Sequence, residues 1–247
     1  MSGMSGVAAV FKRELASYFA TPIAYVFIVI FLIVLGWFTF YYGGFYETGQ
    51  ADLGAFFYWH PWLYLLLVPA LTMRLWAEER KSGSIELLMT LPLETWQLVA
   101  GKYLAVWAFT AISVALTFPI WITVNYLGEP DNGVIFAAYL GSILMAGGFL
   151  ALGACLSAAT KNQVIAFILS VVTCFALLVP GLGVVQQVLS GIAPQWLVDG
   201  ITSLGPQAHF DYISKGVIDL RDLVYFALLI GLALYANTIV LELKKAD

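Results

Sequence analysis

Few residues in this chain could do chemistry, and their spacing argues against catalysis. The two histidines, His60 and His209, stand far apart, and neither has a zinc-ligand or nucleophile pattern beside it. His60 precedes Pro61 and Trp62 at the start of an apolar run and reads as an interfacial residue. Cys155 and Cys174 lie inside apolar segments, where a thiol behaves as a small apolar side chain. No G-x-x-x-x-G-K-[ST] pattern occurs, so the chain has no P-loop of its own. The expectation is a protein without catalytic residues, metal or directly bound cofactor, and not itself an enzyme.

Ionisable side chains gather instead in the segment 74–102. Arg74, Glu78, Glu79, Arg80 and Lys81 come first, and then Gly83, which permits a turn. From Ser84, read as a helix N-cap, the run Ile85, Glu86, Leu87, Leu88, Met89 forms a short amphipathic helix stopped at Leu91 and Pro92. A compact helix behind a charged cluster suits the docking of a partner.

The elements that must carry this segment are apolar. Hydrophobic residues make up 62% of the 247, charged residues 11%, and the mean hydropathy is +0.90. A soluble domain uses roughly 45 to 50% apolar residues. Runs long enough to cross a bilayer as helices fall at 23–42, 61–76, 103–127, 134–159, 164–181 and 223–241, the second containing Pro69. The predicted fold is therefore all-α: one polytopic membrane domain over 1–247 with six transmembrane helices. Ahead of the first span, Val7, Val10, Phe11, Leu15, Tyr18 and Phe19 recur at helical spacing, which predicts an amphipathic interfacial helix over 1–22. The segment 182–222, interrupted by Pro194 and Pro206, predicts short helices at the outer face. In the fourth span Gly147, Ala151, Cys155 and Ala159 recur every fourth residue, a row that lets helices pack closely in lipid.

Orientation follows from the cations. Lys12, Arg13, Arg74, Arg80, Lys81, Lys102, Lys161, Lys244 and Lys245 fall on one side, and only Lys215 and Arg221 on the other. The positive-inside rule then puts both termini in the cytoplasm. The first apolar run is too long for the core of a cleaved signal peptide and is expected to be retained. Every Asp, Glu, Lys and Arg can be placed outside the span cores, which argues against a proton- or sodium-coupled carrier.

The stretch from Glu78 to Pro92 (EERKSGSIELLMTLP), with Gly101-Lys102 at the next span, resembles the coupling-helix region of ABC type-2 permeases. That family carries E-x-x-x-G-[ST]-x-E-x-L-x-x-x-P, which starts here at Glu79. Ser84 stands where Thr is common, and Leu93 where Val or Ile is usual. The run from Gly205 to Asp211, with that from Gly216 to Asp222, is similar to a subgroup containing permeases of gliding motility and of nitrous-oxide-reductase maturation.

The resemblance implies a permease subunit of the bacterial inner membrane that couples ATP hydrolysis on separate subunits to export. The implied partners are a cytoplasmic ATPase dimer carrying ATP and Mg, a second permease chain, auxiliary membrane proteins and membrane lipid, with no nucleic acid. The residues implied to meet the ATPase are Glu78, Glu79, Arg80, Lys81, Gly83, Ser84, Ile85, Glu86, Leu88, Met89 and Pro92, with Ile85, Leu88 and Met89 inserting apolar side chains. The alternative is ATP-driven transmission of force to partner proteins without solute transport.

Overall fold

A computed structural model describes residues 3–47, 49–90 and 92–244, without the side chains of Gly3, Ile23 and Met89. All regular elements among the described residues are helical. The α-helices in chain order are α1 (Gly3–Ala20), α2 (Pro22–Trp37), α3 (Gly54–Tyr58), α4 (His60–Thr72), α5 (Ala77–Ser82), α6 (Ser84–Met89), α7 (Thr95–Ala115), α8 (Phe118–Leu127), α9 (Asn132–Ala159), α10 (Gln163–Leu178), α11 (Gly183–Ser190), α12 (Gln195–Ser203), α13 (Pro206–Ser214) and α14 (Leu220–Leu243); a π-helical segment, Phe38–Tyr42, continues α2, and a 3-10 turn, Val179–Gly181, continues α10. Prolines set several of the boundaries. Pro22 occupies the first turn of α2, Pro194 the N-cap of α12, and Pro206 the first turn of α13, positions where a missing N–H costs nothing.

Among the described residues, five helical stretches are long and apolar enough to cross a membrane: Ala24–Tyr42, Thr95–Leu127, Asn132–Ala159, Gln163–Gly181 and Leu220–Leu243. The second expected span departs from the prediction. Its apolar run continues to Trp76, but α4 has 13 residues, about 20 Å of helix against a hydrocarbon core of roughly 30 Å. Pro69 lies within α4 and withholds one rung of its hydrogen-bond ladder, and the helix gives way to a turn after Thr72. Leu63, Tyr64 and Val68 of this short helix are buried inside the bundle.

The long helices wrap α9. Of its most apolar window 72% is buried within the chain, against 17% to 39% for the other four. Those four turn apolar side chains outward, such as Val29 and Ile33 on α2, Ile168 and Val172 on α10, and Leu228 and Leu232 on α14. A surface of that kind needs lipid or another apolar cover.

In the predicted small-residue row, Gly147 and Ala151 are buried, with Gly147 under Trp107 and Tyr103, whereas Cys155 and Ala159 are only half-buried. A four-residue step advances about 40° around a helix, so the row winds out of the interface. The tightest crossing lies off the row at Gly153. A Cβ there would stand 2.9 Å from the Cβ of Thr72 on α4, and closer still to its hydroxyl.

His60 is not interfacial. It is fully buried, with Nδ1 2.6 Å from Ser142 Oγ on α9, and the Tyr64 hydroxyl lies 2.5 Å from that same oxygen. Its ring packs edge-on against Phe56 and Phe57 at 4.7 and 5.1 Å, while Nε2 has no hydrogen-bond partner among the described residues. Hydropathy could not reveal this, because the stabilising hydroxyl lies 82 residues away in the chain. Ser142→Ala would leave two buried groups without their shared partner. The expected loss is about 1–3 kcal/mol, read as a lower denaturation midpoint in detergent.

His209 is not isolated either. Its Nδ1 lies 2.6 Å from Asp222 Oδ1 and its Nε2 2.9 Å from the Ser203 carbonyl, and the ring stacks on Tyr225 at 3.9 Å. These contacts tie α12 and α13 to the start of α14, at the end of the bundle opposite α5 and α6.

Candidate functional site

The charged segment belongs to a junction of α1, α5, α6 and α7 at the end of the bundle that holds most of the cations. Its footing is the C-terminus of α9. Ser157 Oγ accepts from the backbone N–H groups of Trp76 (3.1 Å) and Ala77 (3.2 Å) and donates to the Met73 carbonyl (3.1 Å). One hydroxyl therefore pins the turn at 73–76. Arg80 Nη1 donates to the Ala158 carbonyl at 2.6 Å, and Lys244 Nζ donates to that of Ala159. Two cations thus meet the carbonyl groups a helix leaves unpaired at its C-terminus, where the macrodipole favours positive charge.

From this footing α5 leads to Gly83, whose φ of +74° lies in the left-handed region that non-glycine residues rarely adopt. The chain turns there into α6. Ser84 does not cap that helix: Gly83 holds the N-cap position, and the Ser84 hydroxyl lies 2.9 Å from Ser82 Oγ, inside the elbow.

The other wall is α7. A capping box between Glu94 and Gln97 starts it at Thr95, well before the expected span start at Tyr103. This helical start brings Gly101 and Lys102 into position. At Gly101, α1 lies directly on α7: a Cβ would come within 2.6 Å of the Val10 Cβ and 3.1 Å of the Val7 carbonyl. The next residue, Lys102, is 3% exposed. Its ammonium is 2.6 Å from Glu79 Oε1, 3.3 Å from Glu14 Oε1, and 5.2 Å from the centre of the Trp76 ring. Arg13 closes the network on Glu14 at 2.7 Å. A cavity of about 270 Å³ opens beside it, lined by Glu14, Tyr18, Arg74, Glu78, Glu79 and Lys102 among others.

One buried lysine thus serves two carboxylates, and they respond differently. Burial pushes the Glu79 carboxyl above its ordinary value; Lys102 pulls it down, Glu14 adds to the rise, and the net shift is upward. Burial also pushes Glu14 up, but Lys102 and Arg13 together outweigh it and leave it below the usual range. Glu79 Oε2 is buried without a hydrogen-bond partner among the described residues. A carboxyl whose folded pKa is raised binds protons more tightly when folded, so its contribution is fully present below the unfolded value of 4.5 and is lost as pH rises through the folded value. Glu14 has the opposite sign: its contribution is present above 4.5 and lost as pH falls through its lowered value. Relative to Glu79→Gln, the wild type should therefore lose stability as pH is raised above about 4.5. Melting curves of both proteins across mildly acidic to neutral pH measure this.

Other residues of the predicted set are placed differently. Glu78 pairs with Arg74 at 2.8 Å on an exposed helix face, an arrangement that contributes little. Lys81 is exposed. On α6 the expected apolar face is turned inward, with Leu88 buried and Ile85 half-buried against the core, while Leu87 is 72% exposed beside exposed Glu86. The Met89 side chain and Leu91 lie outside the described residues; Pro92 is exposed in a bend. Glu14 and Ser157, which hold the junction together, carry no signal in the sequence.

The family model for ABC-2 family transporter proteins matches residues 8–241, a span that takes in the charged junction, four of the long apolar stretches and all but the last two residues of the fifth. A search of curated proteins finds no match to the chain.

Proposed function

From the chain's membership of the ABC-2 transporter family, as the membrane component of an ATP-binding-cassette transporter, we propose that α6 is the contact for a separate ATPase and that ATP hydrolysis there drives export. The observation that carries this reading is the asymmetry of the elbow. Its α5 arm is fastened to α1, α7 and α9 by Lys102, Arg80 and Ser157, while α6 leaves Glu86, Leu87 and Thr90 outward. A partner gripping that outer face would load the junction directly.

In this reading α3 and α4 make a sixth, broken crossing, the cation-rich end and both termini face the cytoplasm of a bacterium, and the unit is two permease chains with two ATPases carrying ATP and Mg. The similarity of the run from Gly205 to Asp222 supports the gliding-motility and nitrous-oxide-reductase-maturation subgroup.

Leu87→Asp and Glu86→Arg are each expected to lower recovery of the ATPase with the purified chain by about fivefold or more, since each removes or reverses an exposed contact worth about 1 kcal/mol or more. Unchanged recovery in both would end the proposal. Leu88→Asp, which acts on a buried side chain, should instead lower the stability of the permease alone. Export is separated from force transmission by ATP-dependent movement of cargo in liposomes. Full ATPase coupling with no cargo moved would favour the force-transmitting reading.

A further inference from the structure

Between α1 and α7, on the side away from the charged junction, lies a trench of about 800 Å³, within the range of ligand pockets. Val7 and Phe11 of α1, Trp96, Ala108 and Ala111 of α7, and Ile143 of α9 line it. The remaining lining residues are also apolar. Both tryptophans lining it have their indole N–H groups engaged within the chain: Trp107 donates to the Ile143 carbonyl at 2.9 Å and Trp96 to the Glu94 carboxylate. The trench therefore offers an occupant no hydrogen bond, only apolar contact. From Trp96 to Ala111 it follows α7 for about 22 Å, longer than the roughly 15 Å of one leaflet's hydrocarbon.

The rim is charged. Lys12 follows Ala8 by four residues on α1 and so stands on the trench side of the helix. It is exposed and makes no ion pair among the described residues, whereas its neighbour Arg13 is held by Glu14. An apolar trench of this length under an unneutralised cation has the complement of an anionic phospholipid. We propose that the trench is a binding site for one such lipid, with an acyl chain along α7 and its phosphate at Lys12. The inference needs only that the chain sits in a membrane, and does not depend on the ATPase contact.

The test uses the full chain in mild detergent, offered phosphatidylglycerol or phosphatidylcholine with identical acyl chains, with bound lipid counted by native mass spectrometry. The wild type should retain one phosphatidylglycerol with about fivefold preference, the factor expected for one lysine at an anionic headgroup. Lys12→Glu should abolish the preference while still retaining lipid. Ala108→Trp, which fills the trench, should reduce retention of both lipids about tenfold, and Ala111→Leu, farther along the trench, should reduce it less. Phe136→Trp, on an exposed face away from the trench, should change nothing. Equal retention in the wild type and both alanine variants would mean annular lipid only and would overturn the proposal. So would a lipid-free dimer of the chain that Ala108→Trp disrupts, because a second copy would then occupy the trench.

Discussion

Lys102→Met is expected to destabilise the folded chain by about 3–5 kcal/mol, the cost of removing one partner from a buried ion pair. Methionine fills much of the same space, so the loss would come from charge rather than volume. Glu79 and Glu14, 19% and 18% exposed, would be left beside each other, with Arg13 paired to Glu14 at 2.7 Å and acting on Glu79 only as a weaker, more distant charge. Adding Glu79→Gln should recover part of the loss, because a neutral amide no longer needs the ammonium. The double variant should fall short of the sum of the two single effects by more than about 1 kcal/mol, as expected for groups in one network. Denaturation midpoints of the four proteins in one detergent measure the cycle. A Lys102→Met protein within 0.5 kcal/mol of wild type, the ordinary range for surface substitutions, would show that the network does not hold the junction.

Gly153→Val is expected to cost about 3 kcal/mol, the upper end of the usual overpacking penalty. The side chain it meets cannot simply rotate away. Thr72 is the last residue of α4, is fully buried, and its hydroxyl donates to the Val68 carbonyl at 3.1 Å. Relief must therefore come from parting α4 and α9, which displaces the turn at 73–76 that Ser157 pins. Permease stability should fall, and with it, under the proposed α6 contact, ATPase stimulation. Thr72→Ala in the same background should restore part of both. Recovery of stability without stimulation would separate packing from coupling.

How much of this was legible beforehand depended on the range of the interaction. Helical spacing at Val7, Val10, Phe11 and Leu15 is a local pattern, and that segment is helical. Apolar length is also local, and it marks five stretches capable of crossing a membrane. At 61–76 it is less informative, because an apolar run shows neither where a proline lets a helix end nor whether its surroundings are lipid or protein. Charge alone groups Lys102 with the loop before it, whereas the capping box of Glu94 and Gln97, three residues apart, starts α7 at Thr95 and puts Lys102 on a helix. On α6, the choice between Leu87 and Leu88 as the outward residue depends on the angle at which Gly83 releases the chain. His60 needed Ser142, and the elbow needed Ser157, partners on a distant helix that no window of sequence contains.

The footing of α5 has a mechanical consequence. Ser157 fixes the chain at Trp76 and Ala77, so a push on α6 becomes rotation about that point rather than sliding. Glu79 lies only three residues from the pivot, about 4.5 Å along the helix, and Leu87 lies well beyond it past the elbow. Under the proposed ATPase contact the arrangement would act as a reducing lever: travel at the outer arm would arrive at the Glu79–Lys102 contact as a smaller displacement with greater force, suited to parting a short ion pair that a long, weak excursion would leave intact.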